Sequence, residues 1–296
     1  LPPSVSLTPI TGEQTGDITF EFTTYDAEED EVSISAEYST NDGLSWDTAN
    51  LSDVVVVGTD TYSLSFDGVD DYVDLPELDL SYGNNISLSL WINTADITSN
   101  PTYALIKHEN SIQPDWMLQF TYQTTGGKLL EFGVLTTEGY NELEVSINSN
   151  DFIGGPIFIA ATYDGTTKKI YKNGTEIGSN SQSGYFRNLV ATHRIGSNSS
   201  NGDYFDGLID NVIIWDDALT SAEIIALYNS GAPINATSNS GDYTSSDNLV
   251  GYWNFNEGSG TTVTDLSGNG NNGTINGATW STTVPSTSTF GSSSLA

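Results

Sequence analysis

The sequence predicts an all-β protein, a sandwich of two antiparallel sheets with one short helix, preceded by a small β segment. Three observations predict it. Short apolar and polar alternations, separated by Gly, Asn and Asp turns, recur at sandwich spacing over most of the chain. Only one stretch carries helix signals at both ends. Finally, 6 Trp, 15 Tyr and 11 Phe supply large apolar areas to bury, although overall hydrophobic content is 36%.

The elements follow in order. After Pro2, Pro3 and Pro9, the alternating set Ile18, Phe20 and Phe22 and then Val32, Ile34, Ala36 and Tyr38 each read as a half-buried strand. Asp26-Ala27-Glu28-Glu29-Asp30 is a polar turn between them, and Asn41-Asp42-Gly43 is a hairpin signal leading to Trp46. From Tyr62 to about Trp280 the texture is that of one large domain. Its clearest hairpin joins Lys169-Ile170-Tyr171-Lys172 to Thr175-Glu176-Ile177 through Asn173-Gly174, the pair a type I′ turn prefers. Thr220 to Tyr228 reads as the helix: Thr220 and Glu223 form a capping box, Ile224, Leu227 and Tyr228 share a face, and Gly231 ends it. From Pro285 to Ala296 the composition is that of a linker. The predicted units are therefore residues 1–55, 60–283 and 284–296.

Charge narrows the partners. Seven basic residues against 39 acidic ones give a net charge of -32, which repels nucleic acid and anionic lipid and attracts cations. There is no cysteine, hence no disulfide, thiolate nucleophile or Cys-based zinc site. The chain starts at Leu1 and lacks an apolar run of about 18 residues, so it reads as a mature or excised piece that does not insert in a membrane.

A resemblance emerges from particular residues. Leu64-Ser65-Phe66-Asp67-Gly68-Val69-Asp70-Asp71-Tyr72-Val73 resembles the opening strand of the laminin-G-like and pentraxin-like jelly rolls, which belong to the concanavalin A-like class. Ile86 to Ile92, Ala160 to Gly165, Ile195-Gly196, Phe205 to Val212 and Trp215 to Leu219 resemble later strands in that family's order. The first 55 residues resemble part of a bacterial immunoglobulin-like or fibronectin-like repeat. Leu249 to Phe255 and Asp265 to Gly273 come last, as in the pentraxin arrangement. That end strand either closes the domain's own sheet or pairs with a neighbouring repeat or protomer, giving self-association.

The resemblance implies calcium, a hard cation wanting six to eight oxygens. Asp115 stands where these families put an acidic ligand, and the loop holding Asn198, Asn201, Asp203 and Asp206 corresponds to the pentraxin loop supplying others, with Asn and Ser where carboxylates would be. A second candidate pairs Asp265 and Asn269 with Asp67, Asp70 and Asp71, dense oxygen ligands on Gly-permissive backbone. Solvated turns are the competing reading for both, and likewise for the acidic turn Asp26, Glu28, Glu29 and Asp30. Gly268, Gly270 and Gly273 spell a dinucleotide fingerprint that no βαβ unit surrounds.

Catalysis has little support. The two histidines, His108 and His193, belong to no metalloprotease motif, and neither a nucleophile elbow nor a P-loop is present. Glu142 and Glu144 share a strand face and read as a solvated pair. For glycan binding the aromatic candidates are Tyr140, Tyr185, Tyr204 and Trp116, Trp116 alternating with Leu118 and Phe120 as a core residue would. The sequence thus points to a non-enzymatic, calcium-assisted binding module, secreted or on a bacterial surface, that recognises an extracellular glycan or cell-surface ligand. A spacer repeat of a surface fibre is the alternative, and a cryptic glycosidase the third reading.

Overall fold

Period-two alternation builds most of this molecule, and a computed structural model describes it over residues 4–7, 18–19, 22–25, 37–39, 44–48, 60–80, 84–98, 103–109, 114–122, 127–187, 192–198, 202–231, 233–284 and 292–293. The chain divides into two units, Leu1–Val57 with Ser288–Ala296, and Gly58–Thr287.

In the first unit, β1 (Ser4–Leu7) pairs with β3 (Phe22–Tyr25), β2 (Ile18–Thr19) with β22 (Ser292–Ser293), and β4 (Glu37–Tyr38) with β5 (Asp47–Thr48), all antiparallel. The segment read as linker therefore contributes one short strand. The acidic turn at 26–30, the hairpin signal at 41–43 and Val32, Ile34 and Ala36 lie outside the described residues.

The second unit is a sandwich. Its strands are β6 (Ser63–Asp67), β7 (Tyr72–Leu75), β8 (Ile86–Asn93), β9 (Tyr103–Glu109), β10 (Pro114–Tyr122), β11 (Lys128–Thr136), β12 (Gly139–Ile147) and β13 (Ile157–Tyr163). They continue as β14 (Thr167–Lys172), β15 (Thr175–Ser181), β16 (Thr192–Ile195), β17 (Asp206–Trp215), β18 (Leu249–Trp253), β19 (Thr262–Val263), β20 (Gly273–Asn276) and β21 (Thr279–Ser281). One sheet runs β12-β11-β10-β9-β16-β7-β20-β19, the other β15-β14-β13-β8-β17-β6-β21 with β18 on β17, and every pairing is antiparallel. This is the all-β jelly-roll sandwich expected.

Alternation sorts side chains to faces. Trp116, Leu118 and Phe120 of β10, Leu130, Phe132 and Val134 of β11, and Leu88, Leu90 and Ile92 of β8 fill the core between the sheets. The opposite face of β8 and β13 is also buried, because Trp91, Phe158, Trp215 and Tyr252 meet Ile224 and Leu227 of α1 (Ser221–Tyr228). Those strands are therefore buried along their length, β13 as a nearly apolar run and β8 with Ser87 and Ser89 among its buried residues, while β12 alternates.

The local signals hold. Asn173 and Gly174 take φ 48° and 77°, as a type I′ turn demands. Thr220 caps α1 with both halves of the box formed. The helix ends earlier than Gly231, because Asn229 adopts the left-handed cap at φ 41° and Gly231 closes a following 3₁₀ turn. The final segments pair inside their own sheets: β18 with β17, β20 with β7 and β21 with β6. Of the two arrangements the sequence left open, the structure has the closed one. No helix among the described residues is long and apolar enough to cross a membrane.

Candidate functional site

At one end of the sandwich four turns surround a cleft of about 620 Å³. Asn84 and Asn85 precede β8, Thr137 and Glu138 tip the β11–β12 hairpin, Asp164 to Thr166 join β13 to β14, and Gly184 and Tyr185 follow β15. These walls are fixed by short-range bonds. Asp164 Oδ1 accepts from Thr166 N at 2.8 Å, Thr166 Oγ1 at 2.7 Å and Thr167 N at 2.7 Å. Burial opposes the charge on Asp164, but those bonds outweigh it and hold its carboxyl below the ordinary value. Tyr185 N donates to Thr137 Oγ1 at 3.1 Å, Thr137 N donates to Tyr185 O at 2.9 Å, and Tyr163 Oη donates to Gly184 O at 2.7 Å. The Tyr185 side chain itself is 66% exposed, a rigidly hung aromatic face beside amides, hydroxyls and carboxylates.

A polar patch occupies the outer face of the first sheet. Tyr140, Glu142 and Glu144 alternate with the inward Leu143 and Val145 on β12. The Tyr140 hydroxyl lies where a side chain at Gly133 would collide with it, and it donates to Glu142 Oε1 at 2.9 Å. On the neighbouring strands Gln119 Nε2 donates to Glu131 Oε2 at 2.9 Å and Thr121 Oγ1 to Glu131 Oε1 at 2.7 Å. Lys107 Nζ reaches Gln119 Oε1 at 3.5 Å. Burial, helped by the charges of Glu142 and Glu144, raises the Glu131 carboxyl despite those two hydrogen bonds. One oxygen each of Glu131, Glu142 and Glu144 lie within 4.8 Å of one another.

The expected metal ligands are dispersed. Asp115 is fully buried in β10, its Oδ2 3.5 Å from His108 Nδ1, so it faces an imidazole in the interior. Asn198 and Asp203 bond each other at 2.7 Å and Asn198 Oδ1 accepts Gly202 N at 3.0 Å, a self-closed loop, while Asn201 lies outside the described residues. Asp206 faces Asp67 across β17 and β6, and burial, Asp96 and Asp67 raise its carboxyl. Asp67, Asp70 and Asp71 do converge, with one oxygen each inside 4.8 Å, but that group excludes Asp265. Asp265 accepts from Tyr252 N, Ser267 N and Asn271 N at 2.8–3.0 Å, and Asn269 Nδ2 donates to Leu249 O at 2.7 Å. Both hold their own loop onto β18. A hard cation fits the acidic turn by donor type, since Asp67 and Asp70 are exposed carboxylates beside the buried Asp71.

The profile of the concanavalin A-like lectin/glucanases superfamily matches residues 67–225. The chain belongs to this superfamily. A candidate carbohydrate-binding protein from Bacteroides ovatus is similar in structure at TM-score 0.57 and 17% identity, covering 75% of this chain and 59% of its own. This superfamily member thus spans about three fifths of that protein. A heptameric SAP-like pentraxin from Limulus polyphemus matches at TM-score 0.45 and 15% identity, over 58% of this chain and 84% of its own. The CBM40 of the Ruminococcus gnavus IT-sialidase, bound to alpha2,3 sialyllactose, matches at TM-score 0.42 and 15% identity, over 58% and 100%. No curated protein sequence matches the chain.

Among the aromatic candidates, the superfamily member leaves Tyr185 exposed, while Tyr204 and Tyr140 are half-buried. Trp116 is corrected: it is 0% exposed and packs 5.6 Å from both His108 and His193, so it serves the core, as its alternation with Leu118 and Phe120 implies. Sequence reasoning missed Glu131, whose neighbours Glu142 and Glu144 reach it only through the register Glu131↔Glu144 and Gly133↔Glu142.

Proposed function

We propose that this superfamily member is a non-catalytic carbohydrate-binding module working outside the cell, carried on a larger adhesin or polysaccharide-degrading protein. One observation carries the reading: the exposed Tyr185 ring stands at a cleft lined by Asn84, Asn85, Thr137 and Asp164, an apolar platform for sugar C–H faces beside donors and acceptors for hydroxyls. The net charge of -32 favours neutral glycans over sulfated or phosphorylated ones. Calcium assists at the acidic turn of Asp67, Asp70 and Asp71, whose oxygens suit a hard cation. A glycan array probed with the chain and with Tyr185→Ala tests this. Neutral glycans bound by the first and lost by the second support the reading, and an array blank for both sinks it.

A second reading, glycoside hydrolysis, is favoured by the clustering of Glu131, Glu142 and Glu144. Against it, both Glu131 oxygens already accept internal hydrogen bonds. Reducing-sugar release that disappears in Glu131→Gln would establish hydrolysis and displace the binding reading.

A further inference from the structure

An amine and an amide meet where the two sheets of the sandwich end side by side. β12 ends one sheet and β15 ends the other, with β14 next to it. Asn141 on β12 shares the inward side with Leu143 and Val145, and Gly178 on β15 lies so near Val145 that a side chain there would collide with it. Across this close approach Lys168 of β14, 0% exposed, reaches Asn141. Its Nζ donates to Asn141 O at 2.6 Å and to Asn141 Oδ1 at 2.9 Å. Asn180, paired in register with Lys168, donates from Nδ2 to the same Oδ1 at 3.3 Å and to Glu142 O at 2.9 Å. The Asn180 Oδ1 is buried and has no hydrogen-bond partner among the described residues, which leaves an acceptor unused beside the pair.

Aminolysis of an amide needs this arrangement. A carbonyl bond is about 1.2 Å long, so Nζ lies within about 4 Å of Asn141 Cγ, and its two hydrogen bonds keep it there. Burial pushes the Lys168 amine down to about 8, against the Glu142 charge, so part of it is the neutral nucleophile at ordinary pH. Asn180 Nδ2 already donates to the oxygen on which negative charge would develop. The chain has no cysteine, so a disulfide cannot staple the two sheets.

We propose that Lys168 and Asn141 join spontaneously in the folded chain as a side-chain isopeptide, a covalent clasp between the two sheets. The Nζ lone pair attacks Cγ and forms the new C–N bond while the carbonyl electrons move onto Oδ1 beside Asn180. A proton passes from Nζ to Asn141 Nδ2, the carbonyl re-forms, and the bond from Cγ to Nδ2 breaks to release ammonia. Nothing is oxidised or reduced, and no co-reactant is consumed. The clasp closes a loop between residues 27 positions apart, and it does not rest on the carbohydrate reading.

Intact mass spectrometry of the purified full chain reads the step directly, with its proteolytic peptides sequenced by fragmentation. Wild type should be lighter than its sequence by one ammonia and should yield a branched peptide joining the segments that hold Asn141 and Lys168. Lys168→Arg and Asn141→Ala should both return the full sequence mass. Both should melt about 5 to 10 °C lower, because a closed loop restrains the unfolded chain. If Lys168→Arg does not fold, Asn141→Ala, at an exposed position, carries the same comparison. A wild type at full sequence mass overturns the proposal and leaves hydrogen bonds alone at this edge. An ammonia deficit that persists in Asn141→Ala, with no branched peptide, also overturns it and assigns the loss to a succinimide at an Asn-Gly step such as Asn173-Gly174.

Discussion

The imidazole rings of His108 and His193 stack face to face inside the sandwich, centroids 3.9 Å apart and planes within 1°. Both residues are 0% exposed, Trp116 flanks them, and Asp115 Oδ2 stands 3.5 Å from His108 Nδ1. Imidazole lone pairs lie in the ring plane, so parallel rings cannot converge on one ion. The pair is a core feature, set by the register His193↔His108 between β16 and β9.

Its consequence is acid sensitivity. Burial and then the neighbouring His108 push His193 down to about 2, against an unfolded value of about 6.5. For a base whose native pKa is lowered, the unfolded chain binds the extra proton, so stability is lost as pH falls below about 6.5. Between pH 7.5 and 5 wild type should lose about 2 kcal/mol relative to His193→Phe in urea denaturation. Comparing the two variants removes the opposite contribution of raised carboxyls such as Glu131 and Asp206. Parallel stability curves would contradict the buried neutral histidine.

The helix cap should be worth more than a cap alone. Thr220→Ala should cost about 1 kcal/mol, the usual loss of an N-cap hydroxyl. Glu223 also accepts from Thr244 Oγ1 at 3.0 Å and Ser245 Oγ at 2.7 Å, and it is 5% exposed. Glu223→Ala should therefore cost about 2 to 3 kcal/mol by leaving buried donors unmade. Equal losses for the two variants would mean that Thr244 and Ser245 find other partners.

The acidic turn is braced by a glycine. Gly277 takes φ 83°, and a side chain there would collide with Asp71 Oδ1, whereas Gly268 at φ 87° faces open space. Gly268→Ala should cost about 1 kcal/mol of backbone strain, and Gly277→Ala about 2 to 3 kcal/mol, by chemical denaturation. Similar costs would show that Asp71 yields freely.

Local signals were legible because their physics is local. Asn173-Gly174 and the Thr220 and Glu223 box need only residues within one turn, and the alternation of Trp116, Leu118 and Phe120 needs only one strand. Tyr185 stood out for its Gly and Ser surroundings. What stayed hidden depends on which strands become neighbours. Glu131 meets Glu142 and Glu144 through strand register, Asp115 meets His108 across β10 and β9, and Asp60 meets Asn211 across a separation of 151 residues that no periodicity connects. Asp265 looked like a ligand because Asx-rich turns and calcium loops share a composition, yet its oxygens serve three backbone N–H groups.

The most direct measurement is calorimetric titration of the best-bound neutral oligosaccharide from the array into wild type, Tyr185→Phe and Tyr185→Ala, all checked for unchanged melting. Loss of the ring should weaken binding at least about tenfold, on the order of 1.4 kcal/mol, while Tyr185→Phe keeps most of the affinity. Equal affinity in Tyr185→Ala would contradict the cleft as the glycan site.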